Sequence, residues 1–221
     1  MHIVIQVELI FSLIIMAILA IFFIYAGRKV ALADATKRPK GLVLVVETGV
    51  EMIYNYFKSI MPSHFEKNYY PYFAMLFCYL IVANISGLIG FDAPTSNYSI
   101  TLAMTIITFV LIQFNAIRKK GIKSYIVGNI WPPTNIFGTI APLISLSFRI
   151  FGNILSGSIL MSLLYQFTAW LSGLILPTTV NFLGPVIAPV FHVYFDLFAG
   201  VIQTLVFVTI SSILIMMENE D

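Results

Sequence analysis

The chain has 221 residues, of which 59% are apolar and only 10% charged, where an ordinary soluble domain carries about 25% charged residues. A mean hydropathy of +0.95, with apolar stretches longer than the roughly 20 residues that cross a ~30 Å hydrocarbon layer, excludes a water-soluble globule and makes the bilayer the solvent. A net charge of +2 with no basic stripe interleaved with aromatics excludes nucleic-acid binding, and the single Cys78 excludes a disulfide framework or a Cys/His metal site.

The expected fold is all-α: a polytopic membrane protein of about five transmembrane helices plus an interfacial amphipathic helix. The first span reads Leu9 to Ala26 and stops at Gly27, Arg28 and Lys29, after which Lys37, Arg38, Pro39 and Lys40 extend a basic loop. Because Glu8 precedes this run and no basic leader does, it reads as a retained span rather than a cleaved signal peptide. Gly41 to Met61 is apolar on one side, with Glu47 and Glu51 at i, i+4 and Lys58 two turns on. That pattern is an amphipathic helix, either lying at the interface or packed on the bundle.

A second span, Tyr69 to Phe91, opens on an aromatic belt of Tyr69, Tyr70 and Tyr72, with Pro71 near the first helical turn. Cys78 within it reads as a small buried hydrophobe. Asp92 to Asn97 is a turn, and the third span, Tyr98 to Ile117, ends at Arg118, Lys119, Lys120 and Lys123. Tyr125 to Ile136 contains Trp131-Pro132-Pro133 and Asn135 and reads as a re-entrant or interfacial connector. Trp131 and Trp170 suggest interface anchors.

Two very long apolar segments follow, about Phe137 to Trp170 and about Pro185 to Met217, joined by a turn containing Gly173, Pro177, Thr178 and Thr179. At 1.5 Å per residue the second is roughly 50 Å of helix, well beyond the hydrocarbon core. The pair is therefore expected to form a strongly tilted or near-horizontal hairpin. The whole chain, 1–221, reads as a single membrane domain. Residues 1–68 give the first span, basic loop and amphipathic helix, 69–124 a transmembrane hairpin, and 125–221 the connector and the long helix pair. No internal repeat stands out, which gives inverted-repeat transporters little support.

Seven of the 12 basic residues lie between Arg28 and Lys67 and four between Arg118 and Lys123, while the segment before Gly27 and the turn at Asp92 hold none. The positive-inside rule then places the N-terminus outside and the acidic tail, Glu218, Glu220 and Asp221, in the cytoplasm.

The remaining basic residue, Arg149, sits about a dozen residues into an apolar helix. A guanidinium there costs at least about 2.5–3.5 kcal/mol and cannot escape by deprotonating. Ser145, Arg149, Asn153 and Ser156 share one helical face, flanked by Gly152 and Gly157. Small and polar side chains around one charge are the composition expected where another helix or a water file passes close by. The plainer alternative is a structural arginine paired with a buried acid. Only Asp196 is an acid of similar depth, and His192, Asp196, Ala199 and Gln203 fall on one face of the last long helix beside Gly200. Two helices with one polar stripe each suggest two faces of an aqueous path, though His192 and Gln203 could equally be core residues with satisfied hydrogen bonds.

The run Ser145-Leu146-Ser147-Phe148-Arg149-Ile150-Phe151-Gly152-Asn153, followed by Ser156-Gly157 and by Gln203 in the last helix, closely resembles the a subunit of bacterial F-type ATP synthases. The similarity extends loosely over Pro94 to Ile117 and so covers Tyr69 to the end. The resemblance implies a stator subunit of the membrane sector in a bacterial plasma (inner) membrane. Its Arg149 would face the carboxylate carried by each subunit of a rotating c ring, and two offset half-channels would deliver and remove H+ or Na+. It implies that Asn153 and Gln203 are polar positions near the arginine and that Asp196 is a channel position. Ser158 departs from the pattern: nine residues after the arginine the family often has Glu or His, so the relay here becomes Ser158 plus Asp196. Arg149 is the residue expected to be essential, with Asp196, Gln203, Asn153, Ser158, His192 and Ser145 along the ion path. Expected partners are the c-subunit ring, peripheral-stalk b subunits, other ATP synthase subunits and the lipid bilayer. No cofactor, no bound metal and no catalytic chemistry of the chain's own are expected. The alternative is a stand-alone ion-coupled secondary transporter or channel, in which Arg149 binds an anion and Asp196 couples a cation. An intramembrane enzyme is disfavoured by the lack of HExxH, GxSxG or a pair of intramembrane aspartates.

Overall fold

A computed structural model describes residues 6–34, 38–61, 63–89, 93–130, 132, 134–175 and 180–220. The regular elements among them are all helical. Five helical stretches among the described residues are long and apolar enough to cross a membrane: Val7–Ala31, Tyr69–Leu88, Tyr98–Lys120, Thr134–Ile175 and Gly184–Met217. The chain is thus the all-α polytopic protein its composition calls for. Lys37, Asp92, Trp131, Pro133, Pro177, Thr178, Thr179 and Asp221 lie outside the described residues.

The first helix, α1 (Val7–Ala31), is apolar all round and mostly exposed, as a lipid-facing span should be. It is held by its few inward groups: Ala26 is buried, and the Ser12 hydroxyl shares a 2.7 Å hydrogen bond with Tyr79. Helix α2 (Leu42–Ile60) starts after Gly41, whose φ of +61° favours glycine. Its inner face packs on the bundle, with Phe57 fully buried and stacked on Phe73 at 5.7 Å, while Glu47, Glu51 and Lys58 stay exposed.

Helix α3 (Ser63–Ile85) begins earlier than the apolar run. Pro71 therefore lies inside the helix, not in its first turn, and frees the carbonyl one turn earlier, in the polar stretch before the span. Two short 3₁₀ turns, Ser86–Ile89 and Pro94–Ser96, lead to α4 (Tyr98–Lys120), capped by the Asn97 side chain accepting from Ser99 N–H at 3.0 Å. The connector is itself helical, α5 (Ile122–Ile130), entered through Gly121 at a φ of +76°.

Helix α6 (Thr134–Ile175) has 42 residues and is roughly 60 Å long, so it must run obliquely through a ~30 Å core. The last rod comprises α7 (Gly184–His192), a π-helical stretch Val193–Ala199 and α8 (Gly200–Glu220). Phe73, Leu80, Ile112, Ile150, Phe207 and Ile215, from α3, α4, α6 and α8, form the heart of the apolar core. Thr101, Thr105 and Thr108 line the buried side of α4, and each hydroxyl donates to a carbonyl three or four residues back. Lipid supplies little drive for helix association, so small side chains with internally satisfied hydroxyls give close contact without exposing polar groups.

Asn181 fastens the hairpin between α6 and α7. Its Oδ1 accepts from Gly184 N–H (2.8 Å) and Ser172 Oγ (3.2 Å), and its Nδ2 donates to Thr168 Oγ1 (3.0 Å) and the Tyr165 carbonyl (3.2 Å). Asn181→Ala removes the acceptor of the buried Ser172 hydroxyl and of the Gly184 N–H, and should cost about 1–3 kcal/mol. The expected result is a lower thermal midpoint of the detergent-solubilised chain and faster amide exchange around residue 183.

Candidate functional site

The chemistry-bearing residues lie on α6 and on the rod that begins at Gly184. Near the middle of that rod the π-helical turn widens the backbone, and Asp196 sits inside it. Two close approaches flank the wide turn. Phe195 packs over buried Gly157 of α6, where an added Cβ would lie 3.5 Å from the Phe195 Cβ. Gly200 faces Asn84 of α3 so tightly that an added Cβ would lie 3.0 Å from the Asn84 Cβ.

Asn84 fixes this corner. Its Nδ2 donates to the Gly200 carbonyl and to Thr204 Oγ1, both at 3.1 Å, and its Oδ1 accepts from Thr95 Oγ1 at 2.8 Å. All three side chains are buried, and the cluster is satisfied, as a buried polar network must be to be stable.

Between these elements lies a cavity of about 260 Å³, to which Asn84, Ser96, Asn153, Ser158, His192 and Asp196 contribute polar groups. It is large and polar enough for several hydrogen-bonded waters. Asp196 reaches it opposite Gly87, where a Cβ would stand 3.4 Å from the carboxyl carbon. Its Oδ2 lies 2.6 Å from His192 Nδ1, and the other ring nitrogen, Nε2, lies 3.2 Å from the Tyr165 hydroxyl. His192 and Asp196 keep 33% and 23% of their side-chain surface exposed, so both remain within reach of water.

Four of the residues singled out from sequence, Asn153, Ser158, His192 and Asp196, therefore meet in one cavity, whereas Arg149, Ser145 and Gln203 do not line it. Arg149 is half-buried and makes no hydrogen bond or ion pair with any described residue. Its neighbours Phe148 and Phe151 both hold the Tyr98 ring of α4, at 5.2 and 5.4 Å. On the arginine's side of α6, Ser145, Ser156 and Leu163 are exposed. Gln203 is buried with its Nε2 lacking a partner among the described residues. Asn84, Gly87, Tyr98 and Tyr165 escape sequence reading. For Asn84 and Tyr165 a signal exists, a polar group inside an apolar run, but Gly87 and Tyr98 act only through tertiary contact.

A bundle of membrane-spanning helices around a polar cavity large enough for several waters, with a guanidinium on another face of α6 that has no partner among the described residues, defines a polytopic membrane protein. The chain belongs to the ATP synthase A chain family, which matches residues 9–216. ATP synthase subunit a of Mycoplasma genitalium is 31% identical over 90% of this chain and 74% of the relative. The subunit a of Streptococcus agalactiae serotype III is 30% identical over 91% and 85%, and that of Helicobacter hepaticus is 30% identical over 72% and 73%.

Truncating Asn84→Ala strands the Thr95 hydroxyl, which is 0% exposed, and removes a donor from the Gly200 carbonyl. The expected loss is about 1–3 kcal/mol, read as unfolding of the purified chain at lower dodecyl sulfate fraction, with no comparable effect from a substitution at exposed Leu163.

Proposed function

We propose that this chain is the stator a subunit of an ATP synthase membrane sector, providing two offset half-channels and an essential arginine for H+ (or Na+) translocation coupled to rotation of a c ring. The observation that carries the reading is Arg149, a permanent charge in an apolar helix with no counter-charge among the described residues and an open, small-sided face beside it. A carboxylic acid held in the membrane keeps its proton because burial disfavours the charged form. At ~4 Å and an effective dielectric of ~20, the guanidinium attracts the ionised form by about 4 kcal/mol, about a thousandfold in ionisation. A ring carboxyl passing Arg149 therefore releases its proton there, and rebinds one after moving on.

The same fixed charge repels a proton hopping straight from one half-channel to the other, so the current must travel round with the rotor. Each charge crossing ~100 mV releases about 2.3 kcal/mol, a little over half of the attraction to be broken at each step. The cavity with Asp196, His192, Asn153 and Ser158 serves as part of one half-channel in this reading, with Gln203 and Ser145 beside the arginine. Peripheral-stalk b subunits and other synthase subunits hold the chain against the rotor in a bacterial plasma membrane, N-terminus outside and C-terminus cytoplasmic. Residues 125–221 carry the ion path, and 1–124 anchor it within a single membrane domain.

In the reconstituted complex, Arg149→Ala should cut ion-driven ATP synthesis on the order of a thousandfold, to background, while the complex still assembles. A Cys78→Ser chain carrying Ser156→Cys, exposed on the arginine's side of α6, should cross-link to a small hairpin subunit of the ring. Synthesis surviving Arg149→Ala refutes the assignment, and ion flux through the purified chain alone would favour a stand-alone transporter or channel.

A further inference from the structure

Helix α4 leaves the apolar layer on Arg118, Lys119 and Lys120, and Lys123 follows in the first turn of α5. From Tyr98 to Phe148 the chain carries these four cations and no acid, and the proposed ion path uses none of them. We infer that the corner formed by the end of α4 and by α5 is a binding site for an anionic phospholipid, its phosphate held by Arg118 and Lys123 and the upper part of its acyl chains lying on Ile122, Ile126 and Val127. The inference stands apart from the stator reading, since it needs only that α4 spans the membrane.

Two contacts hold α5 against the bundle. The Tyr125 hydroxyl donates to Gln113 Oε1, on α4 well before its end, and Asn135 Nδ2 at the start of α6 donates to the Gly128 carbonyl at 2.8 Å. The helix therefore folds back along the end of the span instead of running out into water. Among its described side chains only Tyr125 is partly buried. At about 100° per residue, Ile122 and Ile126 lie roughly 60° and 100° round from Tyr125, and Lys123 and Val127 stand on the far side. Ile122, Ile126 and Val127 are 65%, 47% and 66% exposed. A short helix with that much uncovered aliphatic surface beside cations, held where the apolar layer ends, has the character of an interfacial element whose apolar side sinks to the headgroup–acyl boundary.

The aliphatic side chains set the depth of α5, and the cations decide which lipid fits. A zwitterionic headgroup balances its phosphate with its own ammonium, whereas an anionic headgroup brings a net negative charge, which each basic residue beside a span favours by about a factor of five. Lys119 and Lys120 each have an interaction within the chain. The phosphate is therefore assigned to Arg118 and Lys123, which are exposed on either side of the Gly121 turn. The acidic tail follows α8, which meets α4 where Asn115 Nδ2 donates to the Ile215 carbonyl at 3.4 Å, whereas α5 packs on α4 and α6.

The test uses the full chain with its indole moved to the site, Val127→Trp together with Trp131→Phe and Trp170→Phe. The chain is reconstituted in phosphatidylcholine bilayers containing brominated phosphatidylglycerol or brominated phosphatidylcholine, whose bromines quench nearby indole fluorescence. Quenching should show phosphatidylglycerol preferred by roughly tenfold or more at low salt, with the preference shrinking at high salt. Arg118→Gln with Lys123→Gln should bring the ratio close to one, and Arg118→Lys with Lys123→Arg should keep it, which separates lost charge from a damaged fold. No quenching by either lipid, equal quenching by both, or a preference untouched by the double glutamine variant overturns the inference. The competing occupant is an acidic segment of a partner protein. In the assembled synthase a photoactivatable label on Val127→Cys in a Cys78→Ser chain should react with lipid, and an adduct with another subunit overturns the site. Synthesis surviving Arg149→Ala, which refutes the stator reading, leaves this lipid preference unchanged.

Discussion

The constraint on which the molecule turns is a guanidinium placed in an apolar helix with no acid among the described residues to meet it. Arginine cannot relieve the cost of burial by losing its proton, as lysine or histidine can. The chain has 10 acidic residues, and the one set in the middle of the facing rod, Asp196, is already bound to the ring of His192. Among the described residues nothing compensates Arg149, which leaves its charge open to water or to another molecule. A structural ion pair would have consumed this charge; on the proposed reading, the lack of a partner among the described residues keeps it available to a group that arrives and departs.

Keeping that charge in place requires a rigid surround, and the bilayer provides no hydrophobic drive to build one. The bundle relies on short-range devices instead. Threonines on α4 satisfy their own hydroxyls, glycines at 157 and 200 admit neighbouring side chains at close contact, and Asn84 ties α3, a 3₁₀ turn and α8 together through three hydrogen bonds. Tyr98, gripping the two phenylalanines that bracket Arg149, fixes the rotation of α6 about its own axis. Each of these acts by shape and hydrogen bonding within a few ångströms.

Much of this was legible in the residues. Apolar run length locates the five spanning helices, and the excess length of the last two segments foretells their oblique course. The i, i+4 spacing of His192 and Asp196 already places them side by side, and the rarity of a charge in such helices singles out Arg149. What could not be read depends on contacts distant in sequence. Nothing in Val193–Ala199 distinguishes a π-helical turn from an α-helical one; the wide turn occurs where Phe195 and Gly200 meet α6 and α3. Gly87 looks like any loop glycine until Asp196 is seen opposite it. The helical extension of α3 ahead of Pro71 was hidden because polarity was read as the end of a helix, when it marks only the edge of the apolar stretch.

The geometry of α6 also divides the polar stripe that its sequence suggests. At about 100° per residue, Asn153, Ile154, Gly157 and Ser158 centre on the cavity, while Ser145, Arg149 and Ser156 point roughly 100–150° away. Asn153 sits on the border of the two faces. One helix thus presents a cavity wall to its own bundle and an exposed, small-sided strip with a charge to whatever lies outside, and only an amide side chain stands between them. On the proposed reading this is the separation the mechanism demands. Water can approach the arginine's edge without surrounding it, since a guanidinium bathed in water at high dielectric would attract a passing carboxylate by only about 1 kcal/mol. That is too little to take its proton, so on this reading the division of α6 into two faces is what would let a single charge steer an acid.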